Sequence, residues 1–92
     1  MSIQWLFDVI DERKNNPTEK SHTASLFAKG LPKIAQKVGE EGTEVVVAAL
    51  SEDDQRLVEE VADLTYHTLV LLSARGLTPA QVLAELEKRH RK

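Results

Sequence analysis

The 92-residue sequence contains no cysteine and only four aromatic side chains, Trp5, Phe7, Phe27 and Tyr66. Without cysteine there is no disulfide scaffold, no thiolate metal site and no thiol nucleophile. An excess of one charge is also missing. Twelve Lys and Arg stand against 15 Asp and Glu, and a net charge of −3 gives no general reason to expect nucleic acid as a partner. Long hydrophobic runs are absent as well. Runs such as Val45–Leu50 and Leu69–Leu72 are far too short to cross a bilayer, so no membrane partner is expected. Met1–Asp8 lacks the basic region and apolar core of a secretory signal, which makes the cytoplasm the expected location. The length allows one domain, residues 1–92, with a core small enough that self-association is a reasonable expectation.

What is present is helical periodicity, punctuated by glycine and proline. Ile3, Leu6, Phe7 and Ile10 recur on one stripe after a Ser2 cap, and Asn15-Asn16-Pro17-Thr18 ends that helix. From Ser21 to Leu50 the pattern is helical again, with Gly30 and Pro32 marking a bend or fresh start near Leu31. Ser51-Glu52-Asp53-Asp54 reads as a cap and an acidic first turn, and Arg75-Gly76 ends the helix that follows. Thr78-Pro79-Ala80-Gln81 then opens another with a capping box. Its apolar stripe is Val82, Leu83 and Leu86, and its basic tail, Lys88-Arg89-His90-Arg91-Lys92, suits the negative end of a helix dipole. No segment alternates with period two for long enough to be a strand. The expected architecture is all-α, a bundle of four to five helices.

Chemistry is expected on the two long helices. One carries Glu40-Glu41-Gly42-Thr43-Glu44 and the other Glu59-Glu60-Val61-Ala62-Asp63, each with acidic residues three positions apart on one face. With Glu41 at zero and about 100° per residue, Ile34, Val45, Val38, Leu31, Ala49 and Val46 fall between about 20° and 140°. Glu44, Lys37 and Ala48 lie on the other flank, which places Glu41 at the border of the apolar arc. On the second helix, with Glu60 at zero, Leu71, Leu64, Leu57, Val61, Leu72, Val58 and Leu69 sweep from about 20° to 180°. Asp63 and His67 lie on the opposite flank. Packed together, these helices bring Glu41, Glu44, Glu60 and Asp63 into one cluster whose mutual repulsion a divalent cation removes. All-oxygen coordination suits Mg²⁺, with Mn²⁺ as substitute, better than Zn²⁺. The same spacing also arises on ordinary solvated helix faces, where Lys37 and Glu41 would form a surface pair. An apolar arc spanning half a helix is wider than a peripheral helix needs, so this helix is expected to be central or shared with a second subunit, and a dimer built on the long helices answers the small core.

Four segments make the pattern specific: Ser21–Leu31 (SHTASLFAKGL), Lys37–Ala48 (KVGEEGTEVVVA), Glu59–Leu72 (EEVADLTYHTLVLL), and Arg75-Gly76-Leu77 with its Val82–Leu86 helix. In this order they resemble the phosphoribosyl-ATP pyrophosphatase family of histidine biosynthesis, within the all-α nucleotide pyrophosphohydrolases of MazG type. The resemblance implies Mg²⁺-dependent hydrolysis of phosphoribosyl-ATP to phosphoribosyl-AMP and pyrophosphate, the second step of that pathway. It implies Glu41, Glu44, Glu60 and Asp63 as metal ligands, and Glu40 as a neighbour that positions water. Ser21, Thr23, Lys29, Lys33, Lys37 and His67 become substrate-side candidates, and Glu40 or Glu41 a candidate general base. Gly42 departs from the family's usual helix former, and is expected to loosen or closely pack the metal-bearing turn. His22 stands where the family has an aromatic residue before Thr23. No fused cyclohydrolase domain fits within the chain.

The physical chemistry agrees with that expectation. Water must attack a phosphorus shielded by several negative charges, which calls for a cation on the phosphate oxygens and a base for the water. Two other readings stay open at this point. One is a housecleaning pyrophosphohydrolase acting on noncanonical nucleoside triphosphates. The other is a helical dimerisation module without catalysis, which predicts no Mg²⁺ binding and tolerance of Glu44→Gln and Asp63→Asn.

Overall fold

The computed structural model describes residues 1–91. These form five helices in chain order: α1 (Ile3–Asn15), α2 (His22–Lys29), α3 (Leu31–Ser51), α4 (Asp54–Ala74) and α5 (Pro79–His90). There is no strand among the described residues, so the all-α expectation holds. No single helix among them is long and apolar enough to cross a membrane. Lys92, the last residue of the basic tail, lies outside the described residues.

The punctuation works through specific hydrogen bonds. The Ser2 hydroxyl accepts the Trp5 amide at 3.0 Å and caps α1. Gly30, at φ +89° and ψ 164°, ends α2 and starts α3, a conformation in which a Cβ is strained. That residue makes two helices of the Ser21–Leu50 stretch. The cap of α4 differs from expectation by two residues. Ser51 is the last residue of α3, where its hydroxyl donates to the Val47 carbonyl at 2.7 Å, while Asp53 accepts the Arg56 amide at 2.8 Å. A hydroxyl within a helix finds the carbonyl one turn back, and the carboxylate two residues on serves the free amides better. After α4, Gly76 at φ +71° closes a Schellman turn, with the Leu77 amide on Leu72 O (2.8 Å) and the Gly76 amide on Ser73 O (3.1 Å). The Thr78–Gln81 capping box then opens α5, whose axis turns 107° from that of α4.

Phe7, Ile10, Leu26, Ile34, Leu69 and Val70 form the core, with Phe27, Tyr66 and Leu71 packed around it. α3 and α4 share the most extensive contact, and α1 crosses the C-terminal half of α4. That crossing is pinned by polar groups. The buried Ser73 hydroxyl donates to Asp11 Oδ1 at 2.8 Å, and Lys14 Nζ reaches Ser73 O at 2.9 Å and Asp11 at 3.2 Å. α5 buries no side chain in the single chain.

The carboxylate flanks of the long helices face each other, as the expected acidic cluster requires, and burial follows those flanks. Buried positions of α4 include Glu60, His67, Val70 and Ser73, which run along its carboxylate flank. Of its broad apolar arc, Leu69 lies in the core, Leu57, Leu64, Leu71 and Leu72 are half-buried, and Val58 and Val61 are exposed. On α3, Ile34 and Ala48 are buried and Val38, Glu41 and Val45 half-buried, while Leu31, Val46, Ala49 and Leu50 are exposed. Glu41 therefore lies in the middle of the covered strip, not at its border. Gly42 and Gly39 face open space, since a Cβ at either meets nothing within 4 Å. Close packing of the Gly42 turn within the chain is excluded.

Candidate active site

Because the carboxylate flanks of α3 and α4 face each other, acidic residues converge where a small helical protein normally buries apolar groups. One carboxylate oxygen each from Glu41, Glu60 and Asp63 lies within 4.8 Å of the others. Glu60 is 6% exposed. Burial pushes its carboxyl above the ordinary glutamate value. The Arg56 guanidinium opposes that rise, while the like charges of Glu44, Asp63 and Glu41 add to it. Glu44, one turn beyond Glu41, is exposed and stands outside the trio.

Two cations partly offset this concentration of charge. Arg56 Nη2 binds Glu60 Oε1 at 2.7 Å, and the same guanidinium reaches Glu59 at 2.5 Å and Glu52 at 3.4 Å. Lys37 Nζ lies 3.4 Å from Glu41 Oε1, one helical turn away. His67 Nε2 approaches the same Glu41 oxygen at 4.0 Å. Burial pushes the His67 ring toward its neutral form, aided by Lys37 and His22 and opposed by Glu41 and Asp63. Three hard oxygen donors in this arrangement match the ligand chemistry of Mg²⁺ or Mn²⁺ and not that of a thiolate- or imidazole-preferring ion.

Beside the trio, α2 and α3 enclose an open depression of about 370 Å³ lined by His22, Lys29, Lys33, Gln36, Lys37, Glu40 and His67, with Leu26 and Ile34 beneath. Gly30 makes this possible, because the turn it permits sets the lysine of α2 beside those of the first turns of α3. Lys29, Lys33, Lys37, Glu40 and His67, all expected from sequence, therefore share one wall system. Ser21 and Thr23 do not line it. The Ser21 hydroxyl accepts the Ala24 amide at 3.0 Å as the cap of α2, and Thr23 Oγ1 is hydrogen-bonded to the Tyr66 hydroxyl at 2.5 Å.

Three residues at the site escaped the sequence reading. Arg56 stands one turn before Glu60, so its i,i+4 relation to a carboxylate was available as a signal. Gln36 and Tyr66 left none. Tyr66 ties α4 to α2, with His22 stacked on its ring and His67 edge-on to it.

Comparison with known proteins identifies the family. Residues 4–90 match the family described as phosphoribosyl-ATP pyrophosphohydrolase. The phosphoribosyl-ATP pyrophosphatase of Lacticaseibacillus casei is 55% identical over 91 residues, covering 99% of this chain and 83% of that protein. Proteins of the same name are 54% identical in Erythrobacter litoralis (96% of this chain, 85% of that protein) and 50% identical in Sulfurisphaera tokodaii (95% and 93%). The chain belongs to the phosphoribosyl-ATP pyrophosphohydrolase family.

Proposed function

We propose that this chain hydrolyses phosphoribosyl-ATP to phosphoribosyl-AMP and pyrophosphate, using Mg²⁺ held by Glu41, Glu60 and Asp63 with Glu44 as a fourth ligand. The observation that carries this reading is the meeting of three carboxylates across α3 and α4, directly beside a lysine-lined depression. A carboxylate cluster alone repels a polyanionic substrate, and a lysine cluster alone has no means to activate water. Side by side they suit a reaction that needs both.

Bound Mg²⁺ supplies neutralisation of phosphate oxygens and a lower pKa for coordinated water. The protein's own groups do the rest. Lys29, Lys33 and Lys37 draw the triphosphate into the depression, and Lys37 also holds Glu41. Arg56 keeps Glu60 in place while the guanidinium is itself held by Glu52 and Glu59. Glu40 is exposed and lines the depression without an ion-pair partner among the described residues, so its carboxylate is free to take the proton of the attacking water. His67, shifted toward its neutral form, serves as a hydrogen-bonding group toward Glu41 or substrate. Ser21 and Thr23 act by shaping α2.

The working unit is a homodimer joined through the outward arcs of the long helices. Val46, Leu50, Val58 and Val61 are exposed large apolar residues on those helices, left uncovered by the other described helices. Gly39 and Gly42 leave room on that side for close approach.

The deciding experiment is Mg²⁺-dependent release of pyrophosphate from phosphoribosyl-ATP, with a panel of nucleoside triphosphates beside it. Release is expected from the unmodified chain and not from Asp63→Asn or Glu44→Gln. Preference for the nucleoside triphosphates overturns the histidine-pathway assignment, and no release from any substrate overturns the enzymatic reading.

A further inference from the structure

Resting on the proposed function, we infer that Lys37 changes partners during binding. It leaves Glu41 for a substrate phosphate once the carboxylate trio holds its divalent cation, so cation and phosphate favour each other's binding through this one side chain. Lys37 belongs to both halves of the site. Its ammonium lies 3.4 Å from Glu41 Oε1, at the edge of the trio, and its side chain also lines the depression with Lys29 and Lys33. No other lysine or arginine among the described residues does both.

The two cations at the trio are anchored unequally. Arg56 pairs with Glu60 at 2.7 Å and also with Glu59 at 2.5 Å and Glu52 at 3.4 Å, and the last two lie outside the trio. It stays in place whatever happens at Glu60. Lys37 pairs with one carboxylate among the described residues, and that carboxylate is Glu41. The Lys37 side chain is 41% exposed and that of Glu41 13%, so the ammonium reaches solvent where its partner does not. Charge balance points the same way. With all three ionised, the carboxylates against Arg56 and Lys37 leave a net −1, which a divalent cation turns into +1. At so shielded a carboxylate the repulsion between that cation and the ammonium is poorly screened. Lys37, the less anchored of the two, is the one displaced. A lysine is a point charge on a flexible four-carbon stem, so it turns into the depression without any movement of α3. Phosphate oxygens held there by Lys29 and Lys33 offer it charge-assisted hydrogen bonds in place of the one it gave up.

The test asks whether the worth of Lys37 to a phosphate ligand depends on its release. The probe is the α,β-methylene analogue of phosphoribosyl-ATP, which carries the whole triphosphate and has a carbon bridge in place of the oxygen between its α and β phosphorus atoms. Its binding to the unmodified chain, Lys37→Met, Glu41→Gln and the double variant is measured by calorimetry, with saturating Mg²⁺ and in chelator. Methionine keeps the helix propensity of lysine at position 37. With Mg²⁺, Lys37→Met is expected to bind roughly ten- to hundredfold more weakly than the unmodified chain, the range of one hydrogen bond to a charged group. In chelator the difference is expected to fall below about twofold, because Glu41 then holds the ammonium. Glu41→Gln frees Lys37 without metal, so in that background the loss caused by Lys37→Met is expected to return in chelator. A loss of equal size with and without Mg²⁺ makes Lys37 a fixed phosphate contact, and no loss in either makes it a helix-face ion pair. Both results overturn the exchange. So does a Glu41→Gln background in which Lys37→Met changes nothing in chelator, or an unmodified chain that fails to bind the analogue with Mg²⁺. Failure of the hydrolytic reading appears separately, as absent pyrophosphate release from phosphoribosyl-ATP.

Discussion

Truncating Val61 tests the dimer and its cause together. Val61 sits near the centre of the outward arc of α4 and is 44% exposed in the single chain. Val61→Ala removes two methyl groups, worth about 1.6 kcal/mol if fully buried. Only the part still exposed in one chain is available to a partner, which leaves about 0.7 kcal/mol per chain. A two-fold interface counts the site twice, so the dimer is expected to lose about 1.4 kcal/mol, or about tenfold in Kd. Val61→Asp carries an unpaired carboxylate into the same interface, and is expected to leave monomers at micromolar concentration. Val47→Asp is the control. Val47 is similarly exposed, at 45%, but lies on the side of α3 that carries Glu40 and Glu44. Sedimentation equilibrium over a range of concentrations reads all four chains. A monomeric unmodified protein, an unchanged Kd for Val61→Ala, or a Val47→Asp variant as disruptive as Val61→Asp refutes the reasoning.

Other consequences are as direct. Replacing Glu41 by Gln removes one of three crowded negative charges. Without divalent cations the variant is expected to melt above the unmodified chain, and the melting shift produced by Mg²⁺ to shrink; a larger Mg²⁺ shift contradicts the ligand assignment. Asp11 is held below its ordinary value of 3.8, chiefly by the Ser73 hydroxyl and also by Lys14. Its contribution to stability is therefore present above that value and lost as pH falls through the lowered folded one. Ser73→Ala should narrow that loss, so the gap in urea midpoint between the two proteins closes as pH falls below 3.8, and a widening gap argues against the account. Gly30→Ala forces a Cβ into a conformation restricted to glycine and should cost about 1–3 kcal/mol. Thermal denaturation should register it as a fall of several degrees, and an unchanged Tm shows that the turn relaxes at little cost.

How much was legible follows from the range of the forces involved. The Thr78–Gln81 box, the Gly76 turn and the Gly30 break depend on a few adjacent residues, and each is present as expected. The cap at Asp53 was displaced by two residues because Ser51 and Asp53 are both competent and only the run of α3 chooses between them. The pairing of Glu41 with Lys37 is intrahelical and was visible in the spacing. The meeting of Thr23 with Tyr66, 43 residues apart, was not.

By itself the sequence determined the helical class, the boundaries set by glycine, proline and capping side chains, the family, and the two helices that bear the carboxylates. Periodicity establishes which residues share a helix face, because that is a property of one helix. It does not establish which face meets which neighbour. Only the tertiary structure decided how deeply the facing acidic flanks of α3 and α4 are buried, with Glu60 inside and Glu44 outside, and how much of their apolar arcs stays uncovered. The physical reason lies in what covers each face. Arg56 and Lys37 make burial of the acidic flank tolerable within one chain, while an arc as broad as that of α4 exceeds what the remaining helices can cover.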